Sequence, residues 1–228
     1  MSSAAAYLAL LAGIVVWALL VRKLTTKPWE FGAVEQGGVE ELPNAAPARV
    51  GLWVFLGVVT SLFALFMSAY YMRMGHGHGE GLTHDWHPLI EPPILWVNSV
   101  LLIAASVAMQ RARWCVSQQH VERARDALIV SGLLTAMFLC GQVYAWSTVL
   151  RSGEFNATNP AVAFFYVITA VHGLHLVGGL VVWARTLRRM IGKRPEPIDV
   201  RLSIELCTTY WHFLLIVWLV LFVLLLLT

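Results

Sequence analysis

The chain has 228 residues and a formal net charge of +3, with 58% hydrophobic and 13% charged residues. Ordinary globular domains carry about twice that charged fraction, and the mean hydropathy of +0.69 excludes a soluble domain built around one core. The composition is that of an all-α integral membrane protein, a helical bundle, and nothing in its charge points to a nucleic acid partner.

The first apolar run, Ala4 to Val21, is just long enough to cross a hydrocarbon core of about 30 Å at about 1.5 Å per residue. No basic residue precedes the run, and it ends in Arg22-Lys23 with no small-residue cleavage site. It therefore reads as a retained transmembrane helix, residues 1–24, rather than a cleaved signal. Residues 25–49, with Pro28, Pro43 and Pro47, form a polar linker without periodicity. Five further spans make up the rest of the chain, 50–228, at roughly 50–72, 92–110, 127–150, 161–184 and 203–227, so six transmembrane helices are predicted. Tyr70, Tyr71, Trp96, Trp114 and Trp183 fall near their ends, as interfacial anchors do.

The basic residues set the orientation. Fourteen of the 16 Lys and Arg lie in the connections after the first, third and fifth spans, and the opposite connections hold Arg73 and Arg151 alone. The positive-inside rule then makes the odd-numbered loops cytoplasmic and puts both termini on the outer side of a bacterial-type cytoplasmic membrane. Of the three cysteines, Cys140 and Cys207 fall in apolar runs and Cys115 in a basic loop, without motif spacing, so packing is their expected role.

Two stretches concentrate polar groups inside apolar spans. His172 and His175 stand three residues apart, and Glu205 and His212 seven apart, so each pair shares a helix face. Ionisable groups are costly in hydrocarbon and turn toward protein, headgroups or a cavity. His175 and His212 are candidate haem or metal ligands if their helices are antiparallel neighbours. Their alternative is hydrogen bonding across the bundle or contact with lipid headgroups. Glu205 is a candidate for proton uptake, with pairing to a nearby Arg or His as the plainer role. Asn98, Ser99 and Gln142 are positions for interhelical hydrogen bonds. In the loop from Gly75 to Pro88, His76, His78, His84 and His87 offer imidazoles suited to zinc or copper. The interleaved glycines pre-organise no geometry there, so the loop reads first as a solvated connection.

The segment Phe164-Phe165 followed by His172-Gly-Leu-His175, with Glu205 followed by Tyr210-Trp-His-Phe213 and Trp218, resembles subunit III of the haem-copper terminal oxidases. Pro93 through Asn98 is similar to a proline-to-asparagine helix start of that family, and Gln142 falls where its next helix carries a glutamine. The resemblance covers about 49–227. It implies a non-catalytic subunit that itself binds no haem or copper, those groups being held by the partner subunits I and II. The same resemblance makes His172, His175, Glu205, Tyr210, Trp211 and His212 a phospholipid-binding and structural set. Two positions depart from the pattern: Val59 and Leu215 stand where the family usually has carboxylates. The chain also carries one helix ahead of the five-helix core where the long form of the family has two.

The leading expectation is thus an accessory subunit of a respiratory oxidase, or of the related nitric oxide reductases. A membrane b-type cytochrome with haem between His175 and His212, and a small transporter using Glu205, are the rivals from other classes.

Overall fold

The computed structural model describes residues 45–76, 93–151, 160–191 and 197–226, all of them helical but for the three-residue turn at 118–120 and Pro93. The helices are α1 (Ala45–His76), α2 (Ile94–Ser117), α3 (Val121–Arg151), α4 (Pro160–Ile191) and α5 (Pro197–Leu226). Each contains a stretch long and apolar enough to cross a membrane. The predicted first span, 4–21, lies outside the described residues.

α1 begins five residues ahead of the expected start at 50, because Ala45–Arg49 continue its first turns. Residues up to Leu62 and residues from Phe63 onward belong to two separate packing units. In the first, Leu56 and Val59 are buried, while Trp53, Val54, Phe55 and Val58 are exposed. Thr60 and Ser61 return their hydroxyls to the Leu56 and Gly57 carbonyls of their own helix, at 2.7 and 3.0 Å. That removes the cost of a bare hydroxyl on an apolar face.

In the second unit α2 packs on α3 and α5, and α4 packs on α3 and α5, which closes a four-helix ring. The largest difference from the sequence-based expectation lies between α2 and α3. A basic connection of some sixteen residues was expected at 111–126 (the gap between the spans ending at 110 and starting at 127). Instead α2 runs on to Ser117 and α3 starts at Val121. Arg, Glu, Ala and Gln are good helix formers, so the polar sequence beyond the apolar window stays helical. The turn closes with Gln119 at a positive φ of 62°, and the His120 N–H donates to the Cys115 carbonyl at 2.9 Å. Cys115 consequently sits buried in the last turn of α2 rather than in a loop, and Cys140, expected to pack, is exposed.

Two apolar clusters fill the ring. One, toward the basic end, gathers Met109, Cys115, Leu128, Ile204, Cys207 and Trp211. The other gathers Leu102, Phe138, Phe165, Leu176, Leu214 and Trp218. Exposed Val, Leu and Ile dominate the outer faces, as expected when the solvent is lipid.

Four tryptophans tie the clusters together. The Trp146, Trp211 and Trp218 indoles donate to Thr169, Thr135 and Ser99 at 3.0, 3.1 and 2.9 Å. Each of those hydroxyls in turn donates to a carbonyl one turn earlier on its own helix. The same device therefore occurs three times: the hydroxyl's proton is held by its helix, and its lone pairs accept an indole from another. Trp183 reaches the Leu128 carbonyl directly at 2.9 Å. It is thus a tether between α3 and α4 rather than the interfacial anchor expected. Tyr70, also expected at the interface, is buried with its ring 5.5 Å from that of Phe164. Trp96 and Trp114 are exposed, in keeping with the expectation.

Candidate functional site

The first histidine of the α4 pair is sealed in the core. His172 has no exposed surface, and its Nε2 lies 3.1 Å from the Leu214 carbonyl of α5. A carbonyl only accepts, so Nε2 carries the proton and Nδ1 is a bare lone pair. Trp218, Phe138 and Phe63 surround the ring, with centroids 5.2, 5.8 and 6.5 Å away. No ligand larger than a few atoms has room against a ring so enclosed. His172 joins α4 to α5 and fixes the packing of three aromatic neighbours.

His175 lies one turn on and is half-buried. Its Nδ1 donates to the Val171 carbonyl at 2.8 Å, and its ring centroid is 5.6 Å from that of Phe63. The His175 backbone carbonyl accepts the Tyr210 hydroxyl at 2.9 Å. Gly179 makes this approach of α4 and α5 feasible: a Cβ there would lie 2.8 Å from Tyr210 Cε1 and 3.2 Å from Trp211 Cζ3.

On α5 the block Tyr210-Trp211-His212 sends three side chains in three directions, because successive residues turn by about 100°. Tyr210 meets α4, and Trp211 is fully buried and reaches Thr135 of α3. His212, two residues past Tyr210, points about 160° away from the face that meets His175. Its Nδ1 donates to the Thr208 carbonyl at 2.7 Å. The structure therefore does not bring His175 and His212 together. Helical geometry speaks against the haem-ligand pairing expected as a rival, because His212 points away from the face of α5 that meets α4.

The other sequence pairing holds. Glu205, Thr209 and His212 form one half-exposed lane on α5. Arg113 of α2 meets this lane, its guanidinium 3.7 Å from the Glu205 carboxylate. Glu205 lies about two turns inside α5, since that helix starts at Pro197, ahead of the expected start at 203. Arg113 is the residue that sequence reasoning did not single out. Its signal was the extra length of α2, which places Arg113 on a helix facing α5 rather than in a loop.

Of the expected carboxylate positions, Val59 is buried and Leu215 packs against the apolar cluster around Phe138. Among the described residues, no three His, Cys, Asp or Glu side chains gather as a metal-binding group. His76 ends α1, and His78, His84 and His87 lie outside the described residues.

The membrane-crossing helical architecture agrees with comparisons to known proteins. A family profile described as "Cytochrome c oxidase subunit III" matches residues 7–227. The match thus includes most of the first apolar run as well as the five described helices. The chain is 28% identical to a protein named cytochrome c oxidase subunit 3 from Thermostichus vulcanus, over 77% of this chain and 85% of that one. It is 26% identical to the protein of the same name from Corynebacterium diphtheriae, over 76% and 84%. With the Bacillus subtilis protein of that name it shares 25% identity over 76% and 82%. With a profile match over nearly its whole length, on a bundle of membrane-crossing helices, the chain belongs to the cytochrome c oxidase subunit III family.

Proposed function

We propose that this chain is a non-catalytic accessory subunit of a haem-copper respiratory oxidase, which holds phospholipid and stabilises the catalytic subunit I beside it, with subunit II as a further partner. Haem and copper then reside in those partners, and the parent complex couples oxygen reduction to proton movement. Family membership makes the chain a multi-pass membrane subunit of an oxidase complex. The accessory role rests on the way its most chemically capable side chains are used. His172 Nε2, the Tyr210 hydroxyl and the Trp211 indole N–H tie helices together, through Leu214, His175 and Thr135. A residue so committed supplies rigidity rather than turnover.

The half-exposed lane of Glu205, Thr209 and His212, with Arg113 across from it, supports the lipid role. A guanidinium at the basic end of a membrane bundle suits a headgroup phosphate, and imidazole and hydroxyl supply further donors. The basic residues Arg111, Arg113, Arg123, Arg125, Arg185, Arg188, Arg189 and Arg201 lie toward the ends of α2 and α4 and the starts of α3 and α5. By the positive-inside rule that end faces the cytoplasm, the cytoplasmic membrane is the location, and both termini are outside.

A pull-down of the tagged chain from native membranes in mild detergent, followed by mass spectrometry and an optical spectrum, tests the assignment. Co-purification of a larger haem-bearing subunit and a copper-binding partner is the expected result, with the spectrum remaining on that subunit once this chain is stripped away. A chain that purifies alone, coloured or colourless, would overturn it. Phospholipid retained per complex should fall in a double Arg113→Ala, His212→Ala variant, and unchanged lipid content would remove the lane from the proposal.

A further inference from the structure

Three buried polar atoms in the apolar half of the bundle have no hydrogen-bond partner among the described residues: Asn98 Oδ1, Gln142 Nε2 and His172 Nδ1. Their residues are 0%, 2% and 0% exposed. Leaving such an atom unpaired away from water is costly, so three in one layer of one bundle call for a common partner.

The three lie close together by the register of the helices. Asn98 Nδ2 donates to Gln142 Oε1 at 3.3 Å, so the two amides already touch across α2 and α3. Across α3 and α4, the Trp146 indole meets Thr169, and Phe138 meets His172, with centroids 5.8 Å apart. Gln142 stands one turn from each of Trp146 and Phe138 on α3, and His172 lies one turn after Thr169 on α4. The antiparallel register thus sets Gln142 opposite the turn of α4 that carries His172.

Their chemistry is complementary. Gln142 Nε2 offers a donor. His172 Nδ1 is an acceptor, because Nε2 must hold the proton to bond Leu214. Asn98 Oδ1 is a second acceptor. Reversing both amides would leave Asn98 with the spare donor and Gln142 with the spare acceptor, so the set still contains one donor and two acceptors. A water molecule accepts from one group and donates to two others, and buried waters typically make about three hydrogen bonds.

We infer that the bundle binds one structural water between Asn98, Gln142 and His172, which accepts from Gln142 Nε2 and donates to His172 Nδ1 and Asn98 Oδ1. That water couples α2, α3 and α4, and through the His172 bond to Leu214 it extends the network to α5. All four helices of the ring then share one polar node in the middle of an apolar cluster. Trp218 and Phe138 both pack against His172 beside it, with their rings 4.9 Å apart in an edge-to-face contact.

The test is a structure of the intact oxidase complex at a resolution that shows ordered water, together with a double-mutant cycle in the same complex. A density peak within hydrogen-bond reach of both Gln142 Nε2 and His172 Nδ1 is expected. Continuous apolar packing there, or a direct bond between Gln142 and His172, would overturn the inference. In the cycle, Gln142→Met and His172→Phe each lower the thermal midpoint, and the double variant loses clearly less than the two losses combined. Strict additivity would also overturn it, because two side chains that share no partner do not couple. If a variant fails to assemble, the density criterion still decides.

Discussion

Replacing Gly132 by alanine adds a single methyl group, yet the packing of α3 on α4 makes it a severe change. A Cβ built at Gly132 would lie 2.5 Å from Trp183 Cε2 and 2.7 Å from Cη2, and closer still to Cζ2. Carbon atoms in contact prefer about 3.5–4.0 Å, so the indole must retreat by about 1 Å. Trp183 cannot retreat freely, because its Nε1 is anchored on the Leu128 carbonyl at 2.9 Å. A shift of that size takes the bond beyond useful length. Overpacking of this kind costs about 1–3 kcal/mol, and an interhelical hydrogen bond in a membrane about 0.6 kcal/mol on average. The expected loss is therefore about 2–4 kcal/mol. For a chain of this size that corresponds to a fall of about 5–15 °C in thermal midpoint. The internal control is Gly178, where an added Cβ meets nothing within 4 Å, so Gly178→Ala should be neutral or slightly stabilising. The assay is retention of folded chain after heating in mild detergent, with both variants side by side. Trp183→Phe in the Gly132→Ala background should recover part of the loss by removing the fused ring that collides. Equal midpoints for Gly132→Ala and Gly178→Ala, or no rescue, would refute the reasoning.

The other predictions use the same measurement. Gly141→Ala should destabilise by more than Gly178→Ala, because its Cβ would overlap Asn98 Oδ1 and lie 3.0 Å from Cγ. That overlap would push the Asn98 amide off Gln142. Trp211→Phe should cost about 1–2 kcal/mol, since it leaves Thr135 without its indole while keeping most of the apolar volume. Its effect should exceed that of Glu205→Gln, whose ion pair with Arg113 is partly exposed at both ends, 28% and 47%, and should contribute under about 1 kcal/mol. A larger effect for Glu205→Gln than for Trp211→Phe would mean that the carboxylate has a role beyond the ion pair.

The five described spans were legible in the sequence because apolar length is dictated by the bilayer and needs no knowledge of neighbours. Their ends were not. Hydropathy reports where the apolar stretch stops, and α2 and α3 stay helical past that point through Arg113 and Arg123. For the same reason Arg113 was counted as loop charge and its meeting with Glu205 went unread. Trp183 was misread for a different cause. Position near a span end favours an interfacial role on average, but an indole N–H also seeks an acceptor inside the bundle. The choice at Trp183 turned on Gly132 and the Leu128 carbonyl, which are 51 and 55 positions away. Asn98 and Gln142, by contrast, were legible as interhelical donors and acceptors, because an amide in an apolar run has few other uses.

The histidines show where periodicity stops being informative. Along one helix, spacing fixes relative direction: Glu205 and His212 share the outer lane of α5, as a separation of seven requires. Across two helices, antiparallel packing and direction around the axis are independent, so neighbouring helices alone do not make His175 and His212 partners. Tyr210 decides the matter, because its hydroxyl touches the His175 carbonyl. Whatever face of α5 carries Tyr210 is the face toward α4, and His212 is two residues, about 200°, further round. One cross-helix hydrogen bond therefore orients the whole helix. It assigns Tyr210 and Trp211 to the interior, and leaves Glu205 and His212 together on the half-exposed lane that Arg113 meets.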